Sequence, residues 1–141
     1  KKLFTNLFFK KKAKFKPPPP RNLSIIQKLI SAYKLWHGFL PHIKNDARYS
    51  LGTKIGSVFI ETAELLYFAS RSSPKDKLNS LERASVKLDS LKFLLQIIWE
   101  INALDNKKYA LISDPLDEIG RMLGGWQRQI ISQTNRDKRL L

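Results

Sequence analysis

The stretch LERASVKLDSLKFLLQIIWEIN, residues 81–102, decides the fold of this protein. Its apolar side chains recur at alternating spacings of three and four residues, which is the period of a helix packed in a left-handed bundle. Asp76 is the predicted N-terminal cap, so that the helix is about 40 Å long at about 1.5 Å per residue. The predicted seam consists of Leu81, Ala84, Leu88, Leu91, Leu95, Ile98 and Asn102.

A second stripe with the same spacing follows in the C-terminal part of the chain. Pro115 interrupts this stripe without changing its phase, so the helix either kinks there or restarts at Ser113-Asp114-Pro115. The stripe consists of Tyr109, Ile112, Leu116, Ile119, Leu123, Trp126 and Ile130.

Two further helices are predicted upstream. The capping-box pattern Ser24-Ile25-Ile26-Gln27 predicts a helix over 24–40, and Asn45-Asp46 is the predicted cap of the next one, which ends at Ser72-Ser73-Pro74. Four amphipathic helices with short connections predict an all-α, up-and-down antiparallel four-helix bundle. The first stripe is Ile26, Leu29 or Ile30, Tyr33, Trp36 and Leu40, and the second is Leu51, Ile55, Val58, Thr62, Leu65 and Ala69.

The first residues of the chain have a different composition and are interpreted as an appended arm. Residues 1–21 contain eight basic residues and no acidic one, and Pro17–Pro20 favour a stiff polyproline spacer. The apolar part of the arm is too short for a signal peptide and is followed by lysines. We therefore divide the chain into a basic, Pro-rich N-terminal arm (1–21), the bundle (22–134) and a basic C-terminal tail (135–141).

The charge of the chain indicates an anionic partner. Lys and Arg total 26 against 12 Asp and Glu, a formal net charge of +14, and such a surface is typical of proteins that bind nucleic acid or anionic lipid. We favour RNA or DNA over a membrane, because Phe9 and Phe15 alternate with lysines in the arm and can stack on unpaired bases. We expect the arm to add salt-dependent affinity. The candidate binding residues are Lys10, Lys11, Lys12, Lys14, Lys16 and Arg21 in the arm, and Lys75, Lys77, Arg83, Lys87, Lys107, Lys108, Arg121 and Arg128 in the bundle.

The third helix has more apolar residues than one seam needs. Its last third is apolar nearly all round, which indicates an additional layer or, as we favour, a subunit interface. The candidate interface residues are Phe93, Leu94, Ile97, Trp99 and Ile101.

No pattern in the sequence indicates catalysis, a metal or another cofactor. His37 and His42 are five residues apart with Pro41 between them, and Glu61 and Glu64 have no histidine at the spacing of a di-iron bundle. The absence of cysteine excludes disulfides and fits a cytoplasmic protein. We therefore predict a non-enzymatic binding protein.

Two glycine pairs lie inside the predicted helices, Gly52 with Gly56 and Gly120 with Gly124. Each glycine costs a helix interior about 1 kcal/mol relative to alanine, and close approach of another backbone is the expected compensation. Fraying of the last helix at Gly124-Gly125 is the alternative.

Several motifs resemble one known family. They are YKLWHGFLP at 33–41, ARYSLGTKI at 47–55, KLD at 87–89 with WEI at 99–101, and EIGRMLGGW at 118–126. Their order over about 24–131 resembles the four-helix-bundle proteins that include the accessory variability determinant (Avd) of diversity-generating retroelements and proteins of 23S ribosomal RNA intervening sequences.

The resemblance implies a homopentameric barrel with a basic surface for nucleic acid. It also implies a partner reverse transcriptase, which makes mutagenic cDNA from a template RNA while the accessory protein performs no chemistry. A structural protein of the intervening-sequence type, with ribosomal RNA as its target, is the alternative. The arm departs from the compact pattern of the family.

Overall fold

The computed structural model describes residues 21–140, and this part of the chain is helical and contains no strand. Helix α1 spans Arg21–Phe39 and leads into a 3-10 turn at Leu40–His42. Helix α2 consists of three consecutive pieces, Asn45–Ala47, a π-helical turn at Arg48–Gly52, and Thr53–Arg71.

The two longest helices follow. Helix α3 spans Pro74–Glu100 and helix α4 spans Asn106–Leu140. At about 1.5 Å per residue, the 35 residues of α4 extend over about 52 Å. The all-α class and the four helices predicted from the sequence are confirmed.

Each helix packs mainly against two others, as in a helical bundle. Helix α2 contacts α1 and α3, and α4 contacts α3 and α1. The ring of Tyr33 on α1 lies 5.7 Å from that of Phe59 on α2. On α3 and α4, the rings of Trp99 and Tyr109 stack at 4.8 Å, and Leu88 packs beside Gly120.

The seams predicted for α3 and α4 supply eleven of the 25 buried apolar residues in the described part of the chain. The six predicted α3 residues from Leu81 to Ile98 are at most 2 % exposed, and Tyr109 and Trp126 on α4 are partly buried against the same core. The residues of the predicted α4 seam that are buried in the core are Ile112, Leu116, Ile119, Leu123 and Ile130.

Asn102 does not belong to the α3 seam, contrary to the prediction. It is exposed and has a φ of +63°, in the left-handed region that asparagine tolerates better than most residues. Its N–H donates to the carbonyl of Trp99, and the N–H of Ala103 donates to that of Ile98. This Schellman pattern ends the helix, so Asn102 follows the spacing of the seam but acts as the C-terminal cap.

The prediction for α1 was wrong in its start and in part of its stripe, of which Leu29 and Trp36 are buried as predicted. Helix α1 already includes Arg21–Leu23, so Ser24 is inside the helix and does not form a capping box. The buried stripe is Ile25, Leu29, Ala32, Trp36, Phe39 and Ile43, whereas Ile26, Tyr33 and Leu40 flank it. The adjacent apolar pairs Ile25-Ile26 and Leu29-Ile30 are compatible with both phases.

Two predicted caps are also corrected. Helix α2 begins at Asn45 after Lys44, whose side chain makes no capping hydrogen bond, and Asp46 Oδ1 accepts from the Ala47 N–H at 2.9 Å within the first turn. The N-cap of α3 is Ser73, followed by Pro74, and the Ser73 hydroxyl donates to Asp76 Oδ2 at 3.2 Å. Asp76 therefore lies within the first turn instead of preceding it.

Helix α4 is continuous through Pro115 and through Gly124-Gly125. Ser113-Asp114-Pro115 therefore does not start a new helix, and the chain does not fray at the glycines. The N-terminus is capped by Asp105, whose Oδ1 accepts from the Lys108 N–H at 2.8 Å. Residues 135–140, predicted as a tail, continue this helix.

The core of α4 gives a matched test of packing. Leu116 is fully buried and Leu111, on the same helix, is 50 % exposed. We expect Leu116→Ala to lower the free energy of unfolding by about 2–5 kcal/mol, because it leaves a cavity. Leu111→Ala is the control and is expected to change it by less than about 1 kcal/mol. Urea denaturation measures both, and equal losses would contradict the assigned core.

Candidate nucleic-acid interface

Positive charge exceeds negative charge in the bundle as well as in the arm. Residues 22–141 contain 18 Lys and Arg and all 12 acidic residues of the chain. Within the described part of the chain, four ion pairs involve Lys28 with Glu118, Lys87 with Glu61, Lys92 with Asp117, and Lys108 with Asp105.

Two of the predicted binding residues are engaged in these pairs. Lys87 Nζ lies 2.6 Å from Glu61 Oε2, and Lys108 Nζ lies 2.7 Å from Asp105 Oδ2. The hydrogen bond from Lys87, followed by its charge, lowers the pKa of Glu61. Hydrogen bonds from the side chain and the backbone of Lys108 lower the pKa of Asp105. The charges of both lysines are thus balanced within the protein.

Lys75, Lys77 and Arg128 lie toward one end of the bundle. Leu88 on α3 packs beside Gly120 on α4, while Trp99 stacks on Tyr109, so residue numbers fall along α3 as they rise along α4. Lys77 lies eleven residues before Leu88 on α3, and Ile131 lies eleven residues after Gly120 on α4. Both are therefore displaced in the same direction, by about 16 Å along their helix, from the contact between Leu88 and Gly120. We call this the basic end: the first turn of α3 and residues 128–140 of α4.

The remaining predicted residues of the bundle do not join this group. Lys107 and Lys108 lie in the first turn of α4, at the opposite end of that helix. Arg83 is exposed one turn before Lys87, and Arg121 is exposed one turn after Asp117. The two arginines therefore lie on different helices near the middle of the bundle.

The candidate residues of the arm, Lys10, Lys11, Lys12, Lys14 and Lys16, lie outside the described residues, as do the aromatic residues Phe9 and Phe15. Arg21 is the first residue of α1. Because Lys28 pairs with Glu118 at 3.0 Å, α1 begins about seven residues, or two turns, from that contact.

Two arginines that the sequence analysis did not select are close to Arg128. Arg136 and Arg139 line a shallow cavity of about 310 Å³ with Arg128, Ile131, Ser132 and Asn135. The sequence indicates this proximity only through spacing, because Arg136 and Arg139 follow Arg128 by eight and eleven residues. It was missed because residues 135–141 were interpreted as a tail and not as helix.

The glycines of α4 have no backbone of another helix against them, contrary to the expectation. A Cβ on Gly120 would lie 3.1 Å from Lys92 Nζ and 3.6 Å from Leu88 Cδ2, both of which are side-chain atoms. Cβ atoms on Gly124 and Gly125 would meet only the guanidinium of Arg128, and one on Gly56 would meet nothing within 4 Å. The helix surface at Gly124-Gly125 is therefore open apart from one arginine.

The predicted subunit-interface residues divide into two groups. Phe93 and Ile101 are 60 % and 54 % exposed, and Val86, seven residues before Phe93 and omitted from the prediction, is 69 % exposed. Trp99, in contrast, stacks on Tyr109 and donates from Nε1 to Asn106 Oδ1 at 2.7 Å, while Leu94 packs against the core. The outward apolar surface of α3 consists of Val86, Phe93, Ile97 and Ile101.

Other kinds of site have little support among the described residues. No group of three or more potential metal ligands comes together in residues 21–140. In the same range, no helix combines the length and the apolar character that crossing a bilayer requires.

The ion pair between α2 and α3 gives a pH-dependent prediction. The folded-state pKa of Glu61 lies below its ordinary value of 4.5, so the pair stabilises the fold above that value and the contribution is lost as the pH falls through the lowered pKa. A double-mutant cycle of Glu61→Gln and Lys87→Gln, measured by thermal unfolding, is expected to show coupling at pH 7 that is smaller at pH 3. A cycle of Glu64→Gln and Lys87→Gln is the control, and equal coupling at both pH values would contradict the pairing.

Comparison with known proteins gives one finding. No curated protein and no solved structure matches the chain. A family model described as bAvd-like matches residues 23–130, about three quarters of the sequence. This confirms the resemblance to Avd, whereas the ribosomal intervening-sequence alternative stays a prediction. The chain belongs to the bAvd-like family.

Proposed function

We propose that this protein is a non-catalytic, nucleic-acid-binding accessory protein of a diversity-generating retroelement, which assists a reverse transcriptase in mutagenic cDNA synthesis from a template RNA. The family match is the observation on which the proposal rests, because the bAvd-like family is of a non-catalytic accessory type. The proposed partners are RNA or DNA, a reverse transcriptase and further copies of the chain.

The distribution of charge supports a nucleic-acid partner. Arg83, Arg121, Arg128, Arg136 and Arg139 are exposed and form no ion pair with any described residue. Arginine binds phosphate through a planar fork of donors and stays charged at any physiological pH. Such a surface binds the backbone of nucleic acid without reading its sequence.

The proposal includes up-and-down antiparallel connectivity, which the contacts between neighbouring helices support. Leu40 packs against Gly52 while Tyr33 lies beside Phe59, so numbers fall along α1 as they rise along α2. The connection between α2 and α3 consists of only Ser72 and Ser73, which joins adjacent ends. This arrangement puts the start of α1 at the basic end.

We also propose that the protein assembles as a homopentamer. A closed ring of identical subunits needs two different, complementary faces on each subunit. The outward apolar surface of α3 supplies one face. An apolar groove between α1 and α2, lined by Leu29, Ile30, Tyr33, Phe59, Ile60, Ala63 and Glu64, is the proposed second face.

The accessory role is tested with the reverse transcriptase encoded in the same locus. We expect cDNA synthesis from the template RNA to require this protein, because a non-catalytic accessory acts by assembling enzyme and template. Synthesis on a poly(rA)–oligo(dT) substrate is the control and should proceed without it. Equal yields of template-derived cDNA with and without the protein would refute the role.

The ring is tested by light scattering. A pentamer of 16.3 kDa chains has a mass of about 82 kDa. We expect Phe93→Asp and Ile60→Asp each to reduce the mass to that of a monomer, because each puts a charge into an apolar contact. Leu111→Asp, at an exposed position of α4, is the control and should leave the mass unchanged. A monomeric wild-type protein at micromolar concentration would exclude the pentamer.

A further inference from the structure

Helix α4 extends beyond the core of the bundle. Ile130 is its last buried residue, and the family match also ends at residue 130, yet the helix continues through Leu140. The extension is almost three turns long, and short helices without tertiary packing are marginal in water. It is therefore a feature of this chain that the packing of the bundle does not explain.

The outward face of α4 changes sign along its length. After Lys107 and Lys108 in its first turn come the acidic residues Asp114, Asp117 and Glu118, and from residue 121 onward come Arg121, Arg128, Arg136 and Arg139. Because seven residues make almost two turns, Arg121 and Arg128 lie on one face, and Arg139 lies on it as well, eleven residues after Arg128. Arg136 lies at the edge of this face and lines the same shallow cavity as Arg128 and Arg139. We call Arg121, Arg128, Arg136 and Arg139 the arginine stripe.

The arginine stripe faces away from the core. Arg121 lies two residues from each of the buried Ile119 and Leu123, which puts it on the opposite side of the helix. Asp137, the only acidic residue of α4 after Glu118, is seven residues after the buried Ile130 and so lies on the side opposite the arginines. The stripe is thus a continuous positive surface about 27 Å long, from residue 121 to residue 139.

The two glycines lie between the first two arginines of the stripe. Cβ atoms on Gly124 and Gly125 would be 3.4 Å and 3.8 Å from the guanidinium nitrogens of Arg128, with no other side chain near. Glycine is unfavourable inside a helix, so a pair here needs a compensating role. A bare helix surface beside a guanidinium allows the backbone of a ligand to approach closely.

We propose that the arginine stripe of α4 is the site that binds the phosphodiester backbone of nucleic acid, with Gly124-Gly125 as the point of closest approach. This inference rests on the proposed function and assigns it to a surface. A linear polyanion fits the stripe, because the charges follow one line along the helix and Ser132 and Asn135 add neutral hydrogen-bonding groups between them. A membrane surface fits less well, because adsorption needs a broad apolar face, and Ile131 and Leu140 are the only large apolar side chains exposed on residues 121–140.

The test compares two variants that lose the same charge. The stripe variant is Arg121→Gln, Arg136→Gln and Arg139→Gln, and the control is Lys34→Gln, Lys44→Gln and Lys54→Gln, all at exposed positions of α1, α2 and the turn between them. Binding to a fluorescein-labelled 20-base-pair RNA duplex is followed by anisotropy at several salt concentrations. We expect the stripe variant to bind at least roughly tenfold more weakly than the wild type. The slope of the logarithm of the binding constant against the logarithm of the salt concentration should be smaller in magnitude by about 2.7, because each of the three lost phosphate contacts contributes about 0.9. The lysine control variant is expected to keep most of the salt dependence of the wild type.

A third variant tests the close approach without changing charge. Gly125→Gln adds bulk at a position where a Cβ meets only Arg128, and it raises helix propensity, so the fold is expected to be retained in circular dichroism. We expect weaker RNA binding than that of the wild type. Wild-type affinity in this variant would overturn the role of the glycines.

The outcomes separate this inference from the proposed function. If the wild-type protein binds neither RNA nor DNA in dilute buffer, the proposed function fails and the stripe fails with it. If the wild type binds but the stripe variant and the control lose equal affinity, only the stripe is refuted. If the wild type binds vesicles of anionic lipid and no RNA, both proposals are overturned in favour of a membrane surface.

Discussion

Burial of the α3 seam between α2 and α4 is the constraint on which the rest of the structure depends. Its six leucine, alanine and isoleucine residues are at most 2 % exposed, and the first and last, Leu81 and Ile98, are 17 residues apart. A seam of that length leaves α3 no freedom to rotate about its axis, because any rotation would expose apolar surface along its whole length. Its opposite face, with Val86, Phe93 and Ile101, is therefore obliged to point outward.

The same constraint separates an acidic and a basic segment on the outward face of α4. Its buried stripe fixes which face is outward, and on that face the acidic segment 114–118 forms ion pairs with the neighbouring helices, Asp117 with Lys92 and Glu118 with Lys28. Surface pairs of this kind contribute little to stability, but they balance four charges within the bundle. The arginines from residue 121 onward have no such partners among the described residues, so their charge is available to a ligand.

The differences between prediction and structure have specific physical causes. Asn102 has the spacing of a seam residue, but its left-handed backbone ends α3. Part of the α1 stripe was mistaken because Ile25-Ile26 and Leu29-Ile30 offer two equivalent stripes, and only contact with α2 and α4 distinguishes them. Trp99 has the composition of an interface residue, yet its ring is stacked on Tyr109 and its nitrogen donates to Asn106.

The sequence by itself determined the four helices, the buried seams of α3 and α4 and the excess of positive charge, because periodicity and composition are local properties of the chain. The tertiary structure decided which of those charges remain available. Lys87 is paired with Glu61, 26 residues away, whereas Arg136 and Arg139 share a surface with Arg128 only because α4 continues as one helix. Pairing across helices depends on distances in space, and spacing along the chain carries no information about them.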